Sequence, residues 1–375
     1  MAETLLALRD IRVQYGAATA LKIASFDVHA GEIVAIIGAN GAGKSTLLRV
    51  MGLLQWPASG SVYFCGEQAT WKNTLALRRR MASVFQEPLL LNATVYDNAA
   101  LGLKLRGRSR DQIDKSLRPW LDRFGIAHLA GRPVRTLSGG EAQRASLARG
   151  FVLDPELLLL DEPFSALDAP TRETLLRDLQ EILTETGITA VMATHELQEA
   201  ALAKRIGVLS RGRLVQCAPQ REIFIHPATE EVAIMVGMET RIAGTVETSA
   251  DGMCSVRFPG GIARVMGDFD NGAPVILCIR PEQLEVGRCF EELICGQEKI
   301  LIRGKVLRIS PPAARSRITI QADCGYVIAL ASESRLAALR LAEKDEVVVA
   351  ISPAAIHAVA QTIAEPLPSF AARKS

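Results

Sequence analysis

The chain has 375 residues, 22% charged and 49% hydrophobic, with a formal net charge of +2. That length suits two or three domains of ordinary globular composition, and so balanced a charge makes no electrostatic case for a nucleic-acid partner. No apolar run approaches the roughly 18 residues of a membrane-spanning helix, and the opening MAETLLALRD, with its early acid and no basic start, does not read as a signal peptide.

The first elements are strands. In IRVQY the alternation sends Ile11, Val13 and Tyr15 to one face and Arg12 and Gln14 to the other. EIVAIIGANGAGKSTLLRVMGLL then reads as a buried strand, a glycine loop and a helix, the start of an α/β unit. Within it, GANGAGKS satisfies G-x-x-x-x-G-K-[ST]. Gly38, Gly41 and Gly43 let successive N–H groups turn toward phosphate oxygens, and the helix adds its positive N-terminus. Lys44 can reach the β- and γ-phosphates of a nucleotide, and the Ser45 hydroxyl can hold Mg²⁺. From about Pro88 to Thr136, amphipathic stretches such as RDQIDKSLRPWLDRFGI predict a small helical insert. After Leu137 the α/β pattern returns: a helix, the strand LLLLDE, the helix TRETLLRDLQEILTETG, the strand ITAVMATH and a hairpin around Gly212.

Asp161 and Glu162 end the apolar strand LLLLDE, where open parallel sheets bind ligands. An Asp there can bind Mg²⁺, and a Glu can accept a proton from an attacking water. Taken singly, other residues stay open. Tyr15 either stacks on a base or is a half-buried strand tyrosine. Gln86 is a polar loop residue at the entrance to the insert. Asp168 caps a helix or crosses an interface, and His195 is structural or catalytic.

The stretch LSGGEAQR holds an S-x-x-E capping box, Ser138 at the N-cap and Glu141 at N3. Capping does not explain Gly139 and Gly140, which weaken a helix. A glycine pair at a bare helix start suits the close approach of an anion. For two phosphate sites with one nucleotide loop, one economical solution is a head-to-tail dimer in which the LSGGE of one subunit completes the site of the other.

The ordered set Tyr15, GANGAGKS, Gln86, LSGGE, LLLLDE, SALD and His195 resembles the nucleotide-binding subunit of ABC transporters over residues 5–225, with no departure at these positions. The resemblance implies a P-loop NTPase fold of the ABC type that uses ATP and Mg²⁺. It implies that Tyr15 stacks on adenine, that Gly38, Asn40, Gly41, Gly43, Lys44, Ser45 and Thr46 hold the phosphates, and that Ser45, Gln86 and Asp161 hold Mg²⁺. Glu162 becomes the general base, His195 the switch histidine, Asp168 a D-loop residue, and Ser138, Gly139, Gly140 and Glu141 the signature that touches the opposite subunit's ATP. It further implies a homodimer at the cytoplasmic face of a membrane, bound peripherally to transmembrane permease subunits and served by an extracytoplasmic solute-binding protein. The resemblance places PLLLNATVYDNAALGL where such permeases dock; its apolar residues serve either that contact or the core of the insert.

The expected domains are 1–235, with a helical subdomain at about 88–150, and 236–375, an all-β barrel of the OB or TOBE type. The second part repeats weakly: RIAGTVETS from Arg241 and LIRGKVLRIS from Leu301 share a glycine and a following β-branched strand. IRPEQLEV resembles a recurring segment of TOBE and Mop-like domains of importers, and the insert is most similar to tungstate and molybdate systems. Sulfate, iron, polyamine and sugar importers are the alternatives. A soluble ABC-type ATPase acting on nucleic acid or ribosomes is a rival of another class, but this chain has one cassette and no coiled-coil or zinc insert. Arg303, Lys305, Arg308, Arg315 and Arg317 near Ser310 and Ser316 suit either an oxyanion or a solvated basic edge. The stretch ALASES lacks the threonine expected of an oxyanion-binding Mop unit. The seven cysteines, Cys65, Cys217, Cys254, Cys278, Cys289, Cys295 and Cys324, form no C-x-x-C pair and read as reduced thiols.

Overall fold

The computed structural model describes residues 3–293, 299–311 and 315–361, so Cys295 lies outside the described residues. The chain divides into two compact units, 1–220 and 221–375, ahead of the expected boundary at 235/236. The short helix Glu230–Met235 belongs to the second unit because Ala233 is buried with Met238, Ile276 and Cys278 there.

The first unit is built on two sheets. One is antiparallel, in the order Ala18–His29, Thr4–Tyr15, Ser59–Phe64, Glu67–Gln68. The other has six strands, in the order Arg213–Pro219, Arg205–Ser210, Ile33–Ile37, Thr189–Thr194, Leu157–Asp161, Met81–Val84. All its pairings are parallel except that of Arg213–Pro219 with Arg205–Ser210. The continuous apolar runs LLLLD and TAVMAT are buried at every position, as strands covered on both faces must be. Between the sheets lies the helix Lys44–Met51, whose Leu47, Val50 and Met51 pack with Leu8 and Ile11 on one side and Val34 and Ile36 on the other.

The expected face of Tyr15 needs correction. Ile11 and Val13 are buried, but Tyr15 is 53% exposed. The pairing with Ala18–His29 shifts register between Val13 and Gln14, so the alternation is broken just before the tyrosine.

Three helices make the insert and its continuation: Val95–Leu105, Arg110–Arg123 and Gly139–Phe151. Thr94 caps the first, and a Ser109–Gln112 capping box starts the second. Their common core is aromatic. Trp120 and Phe124 both pack on the fully buried Phe151, with ring centroids 5.0 and 5.6 Å away.

The second unit is antiparallel β. One sheet runs Gly261–Met266, Met253–Phe258, Thr240–Ala250, Pro274–Ile279, His357–Ala360. The other runs Leu284–Gly287, Glu346–Ile351, Ile300–Ile309, Arg315–Ala322, Gly325–Ser332. Inward residues of both, among them Ile242, Val256, Val306 and Ile320, share one core. The two similar segments occupy Thr240–Ala250 and Ile300–Ile309. Gly244 precedes a register shift between Val246 and Thr248, and Gly304 precedes one between Val306 and Arg308.

Phe151→Ala should cost about 3–5 kcal/mol, the usual range for emptying a buried aromatic site. Urea unfolding followed by tryptophan fluorescence reports it, since Trp120 packs on the ring. A loss below about 1 kcal/mol would refute this packing as a main support of the helical layer.

Candidate nucleotide site

The phosphate loop joins the buried strand Ile33–Ile37 to the helix Lys44–Met51. Its first glycine is required by packing: a Cβ on Gly38 would stand 2.3 Å from the Leu209 carbonyl oxygen of the neighbouring strand. The loop opens onto a cavity of about 680 Å³ lined by Tyr15, Asn40, Gly41, Gly43, Lys44, Ser45, Thr46, Gln86 and Glu162. One hollow thus gathers residues from the first strand, the loop, the entrance to the insert and the end of a third strand.

Lys44 is only 5% exposed. Its Nζ donates to the Gly38 carbonyl at 2.8 Å and the Ala39 carbonyl at 3.3 Å, and lies 3.1 Å from Glu162 Oε1. The other carboxylate oxygen, Oε2, faces His195 Nδ1 at 3.2 Å. Glu162 holds this position from a left-handed backbone, φ 44°, with its N–H donating to the Ala193 carbonyl at 2.9 Å. A non-glycine residue there carries strain of about 1–3 kcal/mol, a feature that concentrates at functional sites.

Next to it, the Ser45 hydroxyl donates to Asp161 Oδ1 at 3.0 Å. Burial pushes the Asp161 carboxyl up from its ordinary value, and the bond from Ser45 opposes that. Ser45 and Gln86 both line the cavity, and with the Asp161 carboxylate beside Ser45 they are hard oxygen donors of the kind Mg²⁺ takes. Tyr15 donates its phenol to Gln55 Oε1 at 2.9 Å and leaves its ring exposed beside the cavity.

Ser138 and Asp168 do not line this cavity. Both cap helices. Ser138 Oγ accepts the Glu141 N–H at 3.3 Å while Glu141 Oε2 accepts the Ser138 N–H at 2.7 Å, the reciprocal box of the sequence. The backbone bond from Ser138 holds the Glu141 carboxyl below the usual range. Asp168 accepts the Thr171 N–H at 2.9 Å at the start of Ala169–Thr186. The glycine pair has two different surroundings. A Cβ on Gly140 would meet Thr171 Cγ2 at 2.7 Å, so the Thr171 side chain crowds that position from within the chain. A Cβ on Gly139 would find nothing nearer than 3.9 Å.

Sequence reasoning missed Thr19, Ala20 and Arg211, and read Gly212 only as a turn; all four line the cavity. The tip of the hairpin is tied there by Gly212 N–H to the Ala42 carbonyl at 2.9 Å and by Lys22 N–H to the Gly212 carbonyl at 2.7 Å. Alternation along a hairpin shows where it turns but not what its turn touches.

The family description "ABC transporter" matches residues 21–165. The molybdate/tungstate import ATP-binding protein of Pyrococcus horikoshii is 35% identical over 346 residues, covering 90% of this chain and 95% of that protein. The chain belongs to the ABC transporter family. Among other members, the sulfate/thiosulfate import ATP-binding protein of Pectobacterium atrosepticum is 37% identical over 64% of this chain and 75% of its own length. Of solved ABC structures, cbiO1 of Clostridium perfringens, part of the ABC transporter complex cbiONQ, superposes with a TM-score of 0.56 at 30% identity, covering 63% of this chain and 96% of that one. A dimeric ATP-binding cassette bound to ADP and Pi gives 0.54 at 28% identity, covering 57% and 98%. As an ABC ATPase the chain binds and hydrolyses ATP.

The raised Asp161 carboxyl has a consequence for this ABC chain's stability. Its unfolded value is about 3.9, so the folded state binds the proton more tightly. Stability is lost as pH rises from that value through the raised folded one, and stays lost above it. Asp161→Asn keeps an acceptor for Ser45 and removes the charge. At pH 7 it should raise the Tm while hydrolysis falls. An unchanged or lowered Tm would refute the burial argument.

Proposed function

We propose that this chain is the ATP-hydrolysing subunit of an importer, and that the imported solute is an oxyanion of the molybdate or tungstate type. The observation that carries the hydrolytic reading is the meeting of Lys44, Glu162 and His195 beneath the cavity. The solute assignment is supported by the 35% identity with a molybdate/tungstate import ATP-binding protein, which extends over 90% of the chain and so takes in the second unit. Sulfate/thiosulfate and spermidine/putrescine import proteins, at 37% and 34% identity, are the next readings.

In this reading Tyr15 stacks on adenine, and Gly38, Asn40, Gly41, Gly43, Lys44, Ser45 and Thr46 bind the phosphates. Ser45, Gln86 and Asp161 would hold Mg²⁺, which when bound neutralises phosphate charge. Glu162 takes the proton of an attacking water, and His195 Nδ1 orients its carboxylate. Ser138, Gly139, Gly140 and Glu141 contact the ATP of the opposite subunit of a head-to-tail homodimer, with Asp168 at the same interface. The open space beside Gly139 supports that contact, as does the dimeric cassette to which the fold is similar.

Transmembrane permease subunits are the expected partners, with the chain peripheral at the cytoplasmic face of the membrane and an extracytoplasmic solute-binding protein upstream. Support comes from an apolar hollow of about 360 Å³ that includes Leu54, Phe85, Leu89 and Leu105, of which Leu89 and Leu105 are more than half exposed. Among the described residues no helix is long and apolar enough to cross a membrane. The second unit is proposed as a TOBE-like duplication, on the matching register shifts after Gly244 and Gly304.

An oxyanion sensor in that unit is less well supported. Strand alternation exposes Arg315 and Arg317 but buries Ser316. Arg317 pairs with Glu239, and Ser310 Oγ is taken by the Arg317 N–H at 2.8 Å. Arg303 and Lys305 line a hollow of about 580 Å³, but they share it with Asp323 and Glu346.

Glu162→Gln should leave ATP affinity intact and slow turnover by about 10²–10⁴-fold; undiminished turnover would sink the base assignment. His195→Ala should also cripple hydrolysis. Calorimetric titration of the full chain with tungstate, molybdate and sulfate tests the second unit. The expected result is no saturable binding, because carboxylates share the hollow; saturable binding of one anion would make this unit a sensor.

A further inference from the structure

Just beyond the loop that runs from Glu162 to Asp168, the side chain of Arg172 reaches both the Leu167 carbonyl and Glu196. We propose that Arg172 is a positioning residue for His195, acting through Glu196, so that a displacement of the exposed Asp168 loop reaches the hydrolytic centre. The proposal rests on the reading that His195 serves hydrolysis.

Arg172 lies just inside the helix Ala169–Thr186, its N–H donating to the Asp168 carbonyl at 2.9 Å. Its guanidinium turns back along the chain. Nη2 donates to the Leu167 carbonyl at 3.3 Å, and Nη1 lies 3.8 Å from Glu196 Oε1. The same Glu196 oxygen lies 3.6 Å from His195 Nε2, while His195 Nδ1 faces Glu162 at 3.2 Å. The contacts therefore run in a ring: Glu162, the loop to Leu167, Arg172, Glu196, His195 and Glu162 again.

Two features make Arg172 the adjustable member of that ring. Its Nε is buried without a hydrogen-bond partner among the described residues, while the head of the guanidinium meets Leu167 and Glu196. The turn on the other side is well fixed. The Glu196 N–H donates to Thr194 Oγ1 at 3.0 Å, and the Thr194 hydroxyl donates to the buried carboxylate of Glu199. Burial pushes Glu199 up, and the charge of Arg172 opposes it, a second electrostatic tie between this helix and the histidine turn. His195 is 40% exposed and on a short turn, with carboxylates at both ring nitrogens, Glu162 at Nδ1 and Glu196 at Nε2. Without Arg172, Glu196 is drawn only toward His195, and the ring orientation that presents Nδ1 to Glu162 is no longer held.

The test uses the full-length chain and measures steady-state ATP hydrolysis and ATP affinity for Arg172→Ala, Arg172→Lys, His195→Ala and the double variant. Arg172→Ala should lower kcat about tenfold or more with KM within about twofold, since misplacement of a reacting group acts on turnover. Arg172→Lys should recover part of the loss. The double variant should be no slower than His195→Ala alone, because both substitutions disable one element. If Arg172→Ala fails to fold, Glu196→Gln spares the helix and should show the same non-additivity with His195→Ala. Independent losses that multiply, a wild-type kcat, or a defect confined to ATP affinity would overturn the proposal while leaving His195 in its hydrolytic role. A silent His195→Ala would overturn that role and this proposal with it.

Discussion

A lysine ammonium sealed from water needs a counter-charge and carbonyl acceptors, and the first unit is arranged around meeting that need at one point. Lys44 is met by the Gly38 and Ala39 carbonyls of its own loop and by Glu162, which is far off in sequence. Such a pair is stable only where its surroundings are rigid, because burial penalises each charge unless geometry is kept. The rigidity comes from the strand that ends in Asp161 and Glu162, buried at every position between two parallel neighbours.

The same constraint explains the irregularities nearby. Glu162 adopts a left-handed backbone to aim its carboxylate at the loop, and Asp161 is buried with Ser45 as its hydrogen-bond donor. Each is locally unfavourable. Each is held by longer-range structure, the Ala193 carbonyl for one and the phosphate-loop helix for the other. Sites that store such strain are ready to bind charge without rearranging, which is the condition for electrostatic catalysis.

The second unit follows a different economy. Antiparallel strands place alternate residues in one shared core and turn the residues between them outward. The basic residues that look clustered in the sequence from Arg303 to Arg317 are each offset by a neighbour: Arg303 and Lys305 share their hollow with Asp323 and Glu346, and Arg317 is paired to Glu239.

Much of the site was legible in the chain itself. The G-x-x-x-x-G-K-S loop, the apolar strands that end in acids and histidine, and the capping box of Ser138 and Glu141 are local patterns, and local hydrogen bonding and periodicity determine them. Tertiary structure decided the rest. A register shift turned Tyr15 outward, the Arg205–Ser210 strand required glycine at position 38, and the Thr171 side chain crowds position 140. Folding also carried the Arg211–Gly212 turn to the cavity and joined Leu167 to His195 through Arg172. Such contacts link residues far apart in sequence, so no periodicity or spacing encodes them; they exist only once the strands have paired and their ends lie side by side.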